Sequence, residues 1–313
     1  MKRCLVCYNT LDDPDLVYHP VCSKRFFSSK KPPELNYTID QLNELAGQVI
    51  KSQISIPGVQ NKLSLYLNKQ RSETNRFTIV GLWGNYILKP PIPQFPYMPE
   101  NEDLTMHLAN IFKIPTVPHA LIPLKSGELS YISRRIDRQE KGKKLFMEDM
   151  CQLGGRLTEN KYNGSLEQVG KTIAKYSSNP LFDNIKFFEV VIFSFLTGNA
   201  DMHLKNFSLI YPLDNMIQLS PAYDLLSTRL IIPEKSDPEE MALTLNGKKS
   251  NLKKSDFIKF AKTLGISTKQ ISNTFIRFNK QLNIALDFIK ISFLPEYKKK
   301  EYILLIKERA GRI

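Results

Sequence analysis

Two carboxylates and one amide stand at a spacing that suits phosphoryl transfer. Asp201 lies within Gly198-Asn199-Ala200-Asp201-Met202-His203-Leu204-Lys205-Asn206-Phe207. Asn206 follows it by five positions, and Asp224 follows Asn206 by 18, closing Ser220-Pro221-Ala222-Tyr223-Asp224. In that order a first Asp can accept the proton of an attacking hydroxyl. The amide oxygen can hold Mg²⁺, and the second Asp can bridge Mg²⁺ to phosphates. Asn and Asp also populate ordinary polar loops and caps, so this segment alone leaves a structural turn as the alternative.

Phosphates need further partners, and the first half of the chain offers them. Lys89 closes the apolar run Tyr86-Ile87-Leu88-Lys89, which reads as a strand and stops at Pro90-Pro91. An ammonium there can reach α- and β-phosphates, or can snorkel to water. Glu102, on the next predicted helix, is placed to pair with Lys89, or simply to favour the helix start. Ser52 to Lys62 precedes another strand and contains Gly58. Backbone N–H groups in such a loop can cover phosphates, although a single Gly is equally a simple turn.

The elements that must position these residues follow from apolar periodicity and turn residues. Residues 1–36 read as loop, punctuated by Asp12-Asp13-Pro14-Asp15 and Lys30-Lys31-Pro32-Pro33. A helix is expected over 36–52, a strand over 62–67, a helix over 101–112, and a hairpin of 119–124 with 129–136. From about residue 148 helices dominate, over 165–177, 183–198, 253–264, 267–291 and 296–309. Short strands near 206–211 and 216–219 interrupt them. A β-rich first half and a helical second half make an α+β chain of two unequal lobes, with domains placed at 1–147 and 148–313.

Composition narrows the class. The 313 residues are 42% hydrophobic and 24% charged, as in ordinary globular chains. No run of 18 apolar residues occurs, and the longest candidate, Phe187 to Thr197, contains Glu189. The N-terminus lacks the apolar core of a signal peptide, so a cytoplasmic protein with reduced cysteines and no membrane partner is expected. A net charge of +13 favours acidic partners, but no basic block with interleaved aromatics marks a specific DNA-binding element.

Taken in order, six segments resemble one family. They are Ile54-Ser55-Ile56-Pro57-Gly58-Val59-Gln60-Asn61-Lys62, Ile87-Leu88-Lys89, Asn101-Glu102, Glu148-Asp149-Met150-Cys151-Gln152, Asn199 to Phe207, and Pro221-Ala222-Tyr223-Asp224-Leu225-Leu226-Ser227. Together they look like the HipA-type serine/threonine kinase toxins. The resemblance implies a two-lobed HipA-like (protein-kinase/PI3K-like) fold with a β-rich N-lobe and a mostly helical C-lobe. It implies an ATP- and Mg²⁺-dependent kinase with Asp201 as catalytic base and Asn206 and Asp224 as magnesium ligands. Lys89 would contact the ATP phosphates beneath a loop of Pro57, Gly58, Val59, Gln60, Asn61 and Lys62. Glu148, Asp149 and Met150 would form the adenine hinge, and His203 and Tyr223 would line the nucleotide site. Ser55 stands where such kinases are inactivated by phosphorylation. A phosphate there would repel those of ATP, so Ser55 is the expected autophosphorylation site, with Ser52 a distant second.

The full-length toxin of that family carries a further small N-terminal subdomain, and the residues ahead of Ser55 are too few for it. The chain is therefore similar to the short HipT-like branch, the toxin of HipBST-type toxin–antitoxin systems. That implies a small antitoxin resembling the absent subdomain and a helix-turn-helix DNA-binding protein as partners. It also implies an aminoacyl-tRNA synthetase as substrate, tryptophanyl-tRNA synthetase being favoured. Two other readings stand beside it: a small-molecule kinase of aminoglycoside/choline-kinase type, and an inactive nucleic-acid- or repressor-binding module. Separately, Cys4, Cys7, His19 and Cys22 make a Cys-x2-Cys…His-x2-Cys set competent to bind structural zinc. The resemblance does not require zinc, and a reduced, metal-free knuckle is the preferred reading of the spacing alone.

Overall fold

The computed structural model describes residues 2–51, 62–68, 75–80, 84–138, 144–213 and 216–313. The chain divides into two compact units, Met1–Asp103 with Val117–Gly142, and Leu104–Thr116 with Lys143–Ile313. Both combine helices with antiparallel strands, the mixed α/β composition expected from the sequence.

The first unit contains α1 (Pro20–Phe27), α2 (Ile39–Lys51), β1 (Leu63–Asn68), β2 (Arg76–Val80) and β3 (Tyr86–Lys89). Helix α3 (Met98–Ile111) begins in this unit, and β4 (His119–Pro123) and β5 (Leu129–Arg134) complete it. The strands form one antiparallel sheet in the order β2-β1-β3-β5-β4. In β1, Leu63, Leu65 and Leu67 are buried while Tyr66 and Asn68 are exposed, the period-two pattern of a sheet with one covered face. Residues 1–36 are not all loop as expected: α1 folds there. Its consecutive Phe26 and Phe27 join Phe77 and Tyr86 in edge-on contacts, with ring centroids 4.7–5.9 Å apart for Phe26–Phe27, Phe77–Tyr86 and Phe27–Phe77. That packing, rather than helical propensity, holds so short a helix.

The second unit contains β6 (Phe146–Asp149), α4 (Met150–Leu153), α5 (Leu166–Tyr176), α6 (Pro180–Thr197), β7 (Ser208–Leu213) and β8 (Met216–Leu219). Helices α7 (Lys254–Thr263), α8 (Thr268–Lys290) and α9 (Glu296–Ala310) follow. The three strands pair antiparallel in the order β6-β7-β8. Capping boxes start α4 (Asp149 with Gln152), α5 (Ser165 with Gln168) and α8 (Ser267 with Gln270). Helix α6 is apolar on nearly every side and is buried accordingly. Its Phe187, Phe195 and Phe193 meet Phe260, Phe257 and Phe112 with centroids 5.9, 5.0 and 5.6 Å apart. Among the described residues no helix is long and apolar enough to cross a membrane.

Candidate active site

The buried helix α6 delivers the segment that carries Asp201. It ends in a Schellman motif: Gly198 donates to the Phe195 carbonyl at 3.1 Å and Asn199 to the Ser194 carbonyl at 2.8 Å. Gly198 has φ +70°, and a Cβ there would lie 2.7 Å from Leu305 Cδ2 and 2.9 Å from Arg229 Cβ, so both backbone and space call for glycine. Thr228 then pins the loop, donating to the Gly198 carbonyl at 3.0 Å and accepting from the Ala200 N–H at 2.9 Å. The Asn199 side chain accepts from the Asp201 N–H at 3.1 Å. The Asp201 carbonyl in turn accepts from the His203 N–H at 2.8 Å and from Asn206 Nδ2 at 2.9 Å. With its nitrogen engaged, the Asn206 amide presents its oxygen as the atom able to accept or to ligate.

The Asp201 carboxylate is partly exposed, and its Oδ1 accepts from the Tyr162 hydroxyl at 2.6 Å. Burial, with Asp201 beside it, holds the Tyr162 phenol above its ordinary range, so this group remains the donor. The Tyr162 ring also meets His203 edge-on, with centroids 5.2 Å apart. Burial pushes His203 down to about 4, although Asp201 and Asp224 both act to favour its charged form. The imidazole is therefore neutral near pH 7. Its Nδ1 is buried and has no hydrogen-bond partner among the described residues.

Antiparallel pairing brings the remaining second-unit candidates to this loop. Strand β7 begins two residues after Asn206, and its return through β8 places Ser220 N–H 2.9 Å from the Ser208 carbonyl. Tyr223 follows, its hydroxyl 2.5 Å from Ser208 Oγ and donating to the Lys205 carbonyl at 3.0 Å. Asp224 takes the left-handed conformation, φ +55°, which Asp tolerates better than most residues. On the other edge of β7, Glu148 pairs with Leu209 and Asp149 with Ser208, and the Met150 N–H donates to the Phe207 carbonyl at 3.0 Å. Lys205 Nζ lies 3.6 Å from Asp149. Asp201, His203, Asn206, Tyr223, Asp224 and the Glu148–Met150 segment thus form one connected group.

In the first unit, Lys89 and Glu102 meet, as their order suggested. Lys89 Nζ is 2.5 Å from Glu102 Oε1, and the two side chains are 4% and 0% exposed. The ammonium also lies 5.3 Å from the centroid of the Tyr131 ring, on the residue paired with Lys89 across the sheet. Lys62 is exposed just ahead of β1. Ser52, Ser55, Pro57, Gly58, Val59, Gln60 and Asn61 lie outside the described residues. Cys4, Cys7, His19 and Cys22 come together in this unit. Tyr162 and Thr228 went unrecognised in the sequence: each acts across more than 25 positions, and neither belongs to a periodic pattern or a motif.

Comparison with known proteins gives this geometry a context. The HipA-like C-terminal domain family matches residues 54–285. A Haemophilus influenzae protein named "Putative kinase" is 29% identical over 245 residues, covering 70% of this chain and 69% of its own length. The Sinorhizobium fredii protein named "Putative kinase Y4dM" is 32% identical over 232 residues, covering 70% of this chain and 56% of its own. Among solved structures, HipA from the Shewanella oneidensis MR-1 toxin–antitoxin system, in complex with HipB and its operator DNA, gives a TM-score of 0.66 at 20% identity. That match covers 83% of this chain and 64% of the HipA chain, and at this identity it speaks for the fold. The chain thus spans 56% to 69% of the length of these three proteins.

Proposed function

Because the chain belongs to the HipA-like C-terminal domain family, with relatives named as kinases, we propose that it is an ATP- and Mg²⁺-dependent protein serine/threonine kinase. We further infer the role of toxin in a toxin–antitoxin system, of the short HipT-like branch. The observation that carries the kinase reading is the Asp201–Asn206 loop. There one carboxylate stays accessible while the main chain beneath it orients the amide oxygen.

In this reading Asp201 accepts the proton of a serine or threonine hydroxyl as that oxygen bonds to the terminal phosphorus of ATP and ADP departs. Tyr162 holds one carboxylate oxygen and so fixes the direction in which the other can receive the proton. The Asn206 amide oxygen and the Asp224 carboxylate are hard oxygen donors of the type Mg²⁺ takes, and these two residues would hold it. Bound there, the cation would neutralise charge on the phosphates during transfer. The pairing of Glu148 with Leu209 and of Asp149 with Ser208 keeps the adenine-hinge candidates in register with this loop. Lys89, kept in place by Glu102, is assigned to the ATP phosphates, and His203 and Tyr223 to the nucleotide site. Pro57 to Lys62 are assigned to the covering loop, and Ser55 to autophosphorylation.

The proposed substrate is an aminoacyl-tRNA synthetase, tryptophanyl-tRNA synthetase first. The proposed partners are a small antitoxin and a helix-turn-helix DNA-binding protein. What supports such partners is the assembly of the Shewanella HipA with HipB and operator DNA. The test is pulse expression of the chain and of Asp201→Asn followed by phosphoproteomics, with mass spectrometry of the purified proteins after incubation with ATP and Mg²⁺. New phosphate on a synthetase and on Ser55, both absent with a folded Asp201→Asn, is expected. Equal protein labelling by Asp201→Asn refutes the role of Asp201. Transfer only to aminoglycosides or choline would replace the reading with the small-molecule one.

A further inference from the structure

The N-terminal residues hold a second cluster that phosphoryl transfer does not use. Cys4, Cys7, His19 and Cys22 each offer one ligand atom, and all four atoms lie within 4.8 Å of one another. The Cys7 and Cys22 sulfurs stand 3.4 and 3.9 Å from His19 Nδ1. In a tetrahedral zinc centre, bonds of about 2.0–2.3 Å put neighbouring donors about 3.5–3.8 Å apart, which these separations bracket. None of the three thiols is in a disulfide.

The surrounding chain orients His19 and Cys4 for such a site. His19 Nε2 lies 3.1 Å from the Thr10 carbonyl, an acceptor only, so the proton belongs on Nε2 and the Nδ1 lone pair faces the sulfurs. The His19 N–H approaches Cys4 Sγ at 3.4 Å, a donor suited to thiolate. Cys22 lies in the first turn of α1, two residues after Pro20 opens that helix. A short bridge between Arg3 and Thr10, with the Leu5 N–H donating to the Val17 carbonyl at 3.0 Å, folds the two ligand pairs onto each other. Sequence spacing alone left a metal-free knuckle as the preferred reading. A fixed imidazole tautomer, two sulfurs within 4 Å of its Nδ1 and all four ligand atoms within 4.8 Å of one another reverse that preference.

We propose that Cys4, Cys7, His19 and Cys22 bind one structural Zn²⁺, which clamps the N-terminal segment onto the sheet of the first unit. The knuckle is built into that unit at three points. The Leu121 N–H of β4 donates to the Leu5 carbonyl at 3.0 Å, the Tyr18 hydroxyl to the Leu121 carbonyl at 2.8 Å, and the Tyr8 hydroxyl to Asp103 at 2.8 Å. Asp103 adjoins Glu102, the partner of Lys89. Loss of the metal therefore loosens β4 and the start of α3 as well as the knuckle. This inference is independent of the phosphoryl-transfer reading, and either can fail alone.

The test uses the full chain, tag removed, reduced, and equilibrated with Zn²⁺ before dialysis. Elemental analysis gives one zinc per chain. Replacement with Co²⁺ gives thiolate-to-metal charge transfer in the near ultraviolet and the intense red absorption of a four-coordinate site. Cys22→Ser weakens zinc binding by more than about 100-fold, beyond what loss of a supporting hydrogen bond does. Cys151→Ser keeps full stoichiometry. His19→Cys retains the metal with a shifted cobalt spectrum, which preserves a folded reporter even where serine variants fail to accumulate. Chelation speeds hydrogen exchange at Leu5 and Leu121. Substoichiometric zinc in metal-replete protein, a cobalt spectrum without charge transfer, or wild-type affinity in Cys22→Ser would each overturn the proposal.

Discussion

The buried Lys89–Glu102 pair permits a quantitative test of how the first unit is held together. At 2.5 Å, with an effective dielectric of about 20, attraction between the charges is about 7 kcal/mol. Exposures of 4% and 0% mean that both ions were stripped of water, at several kcal/mol each, so the net value of the pair is near zero. Removing one partner is different, because the remaining charge stays buried. Lys89→Met and Glu102→Leu should each cost about 3–5 kcal/mol, whereas the double variant Lys89→Met/Glu102→Leu should be less destabilised than either. Urea denaturation followed by circular dichroism measures all four corners of this cycle. Hydrogen exchange in β3 and α3 checks that the loss lies there. Additive losses, or a single variant within about 1 kcal/mol of the parent, would show that the pair behaves like a surface ion pair and would refute the reasoning.

Two further perturbations probe the second unit. His203 is pushed down to about 4 by burial, whereas an exposed imidazole titrates near 6.5. Its contribution to stability is therefore complete above pH 6.5 and falls as pH drops toward 4, by up to about 3 kcal/mol. His203→Gln should flatten the slope of urea midpoint against pH in that window, and an unchanged slope would remove His203 as its source. Gly198→Ala should cost more than Gly247→Ala. The two glycines have φ of +70° and +76°, but only the former would meet neighbours, Leu305 and Arg229, while nothing lies within 4 Å of the latter. A left-handed alanine alone costs about 1–2 kcal/mol, so equal urea midpoints for the two variants would exclude the overlap.

What the sequence disclosed tracks how local the determining physics is. The long helices α5, α6, α7, α8 and α9 were legible because each has sustained apolar periodicity or density with caps such as Ser165 and Ser267. The Asp201, Asn206 and Asp224 segments were legible because their side chains are spaced by the loop and hairpin that carry them. Helix α1 was not, because Asp12 to Asp15 and Lys30 to Pro33 read as loop punctuation and its stability comes from Phe77 and Tyr86, far along the chain. Helix α3 starts at Met98 rather than near Asn101, so Glu102 sits past its first turn instead of within it. Tyr162 carried no signal at all. Its role depends on a contact 39 positions away. The cysteine pairs were visible as a list of ligands, but only folding of the Arg3–Thr10 bridge reveals that their donor atoms converge.

The grip of the Asp201 carbonyl on the Asn206 nitrogen gives that side chain a handedness. An amide has one end that donates and one that accepts, and here the main chain has already chosen which end faces inward. A carboxylate of the same shape has two accepting ends, so one would confront the Asp201 carbonyl with like polarity and swing away. The loop therefore discriminates between two nearly identical side chains by the polarity of a single backbone oxygen. A negative charge at position 206, on its face a stronger cation ligand, would instead lose the bond that aims the side chain.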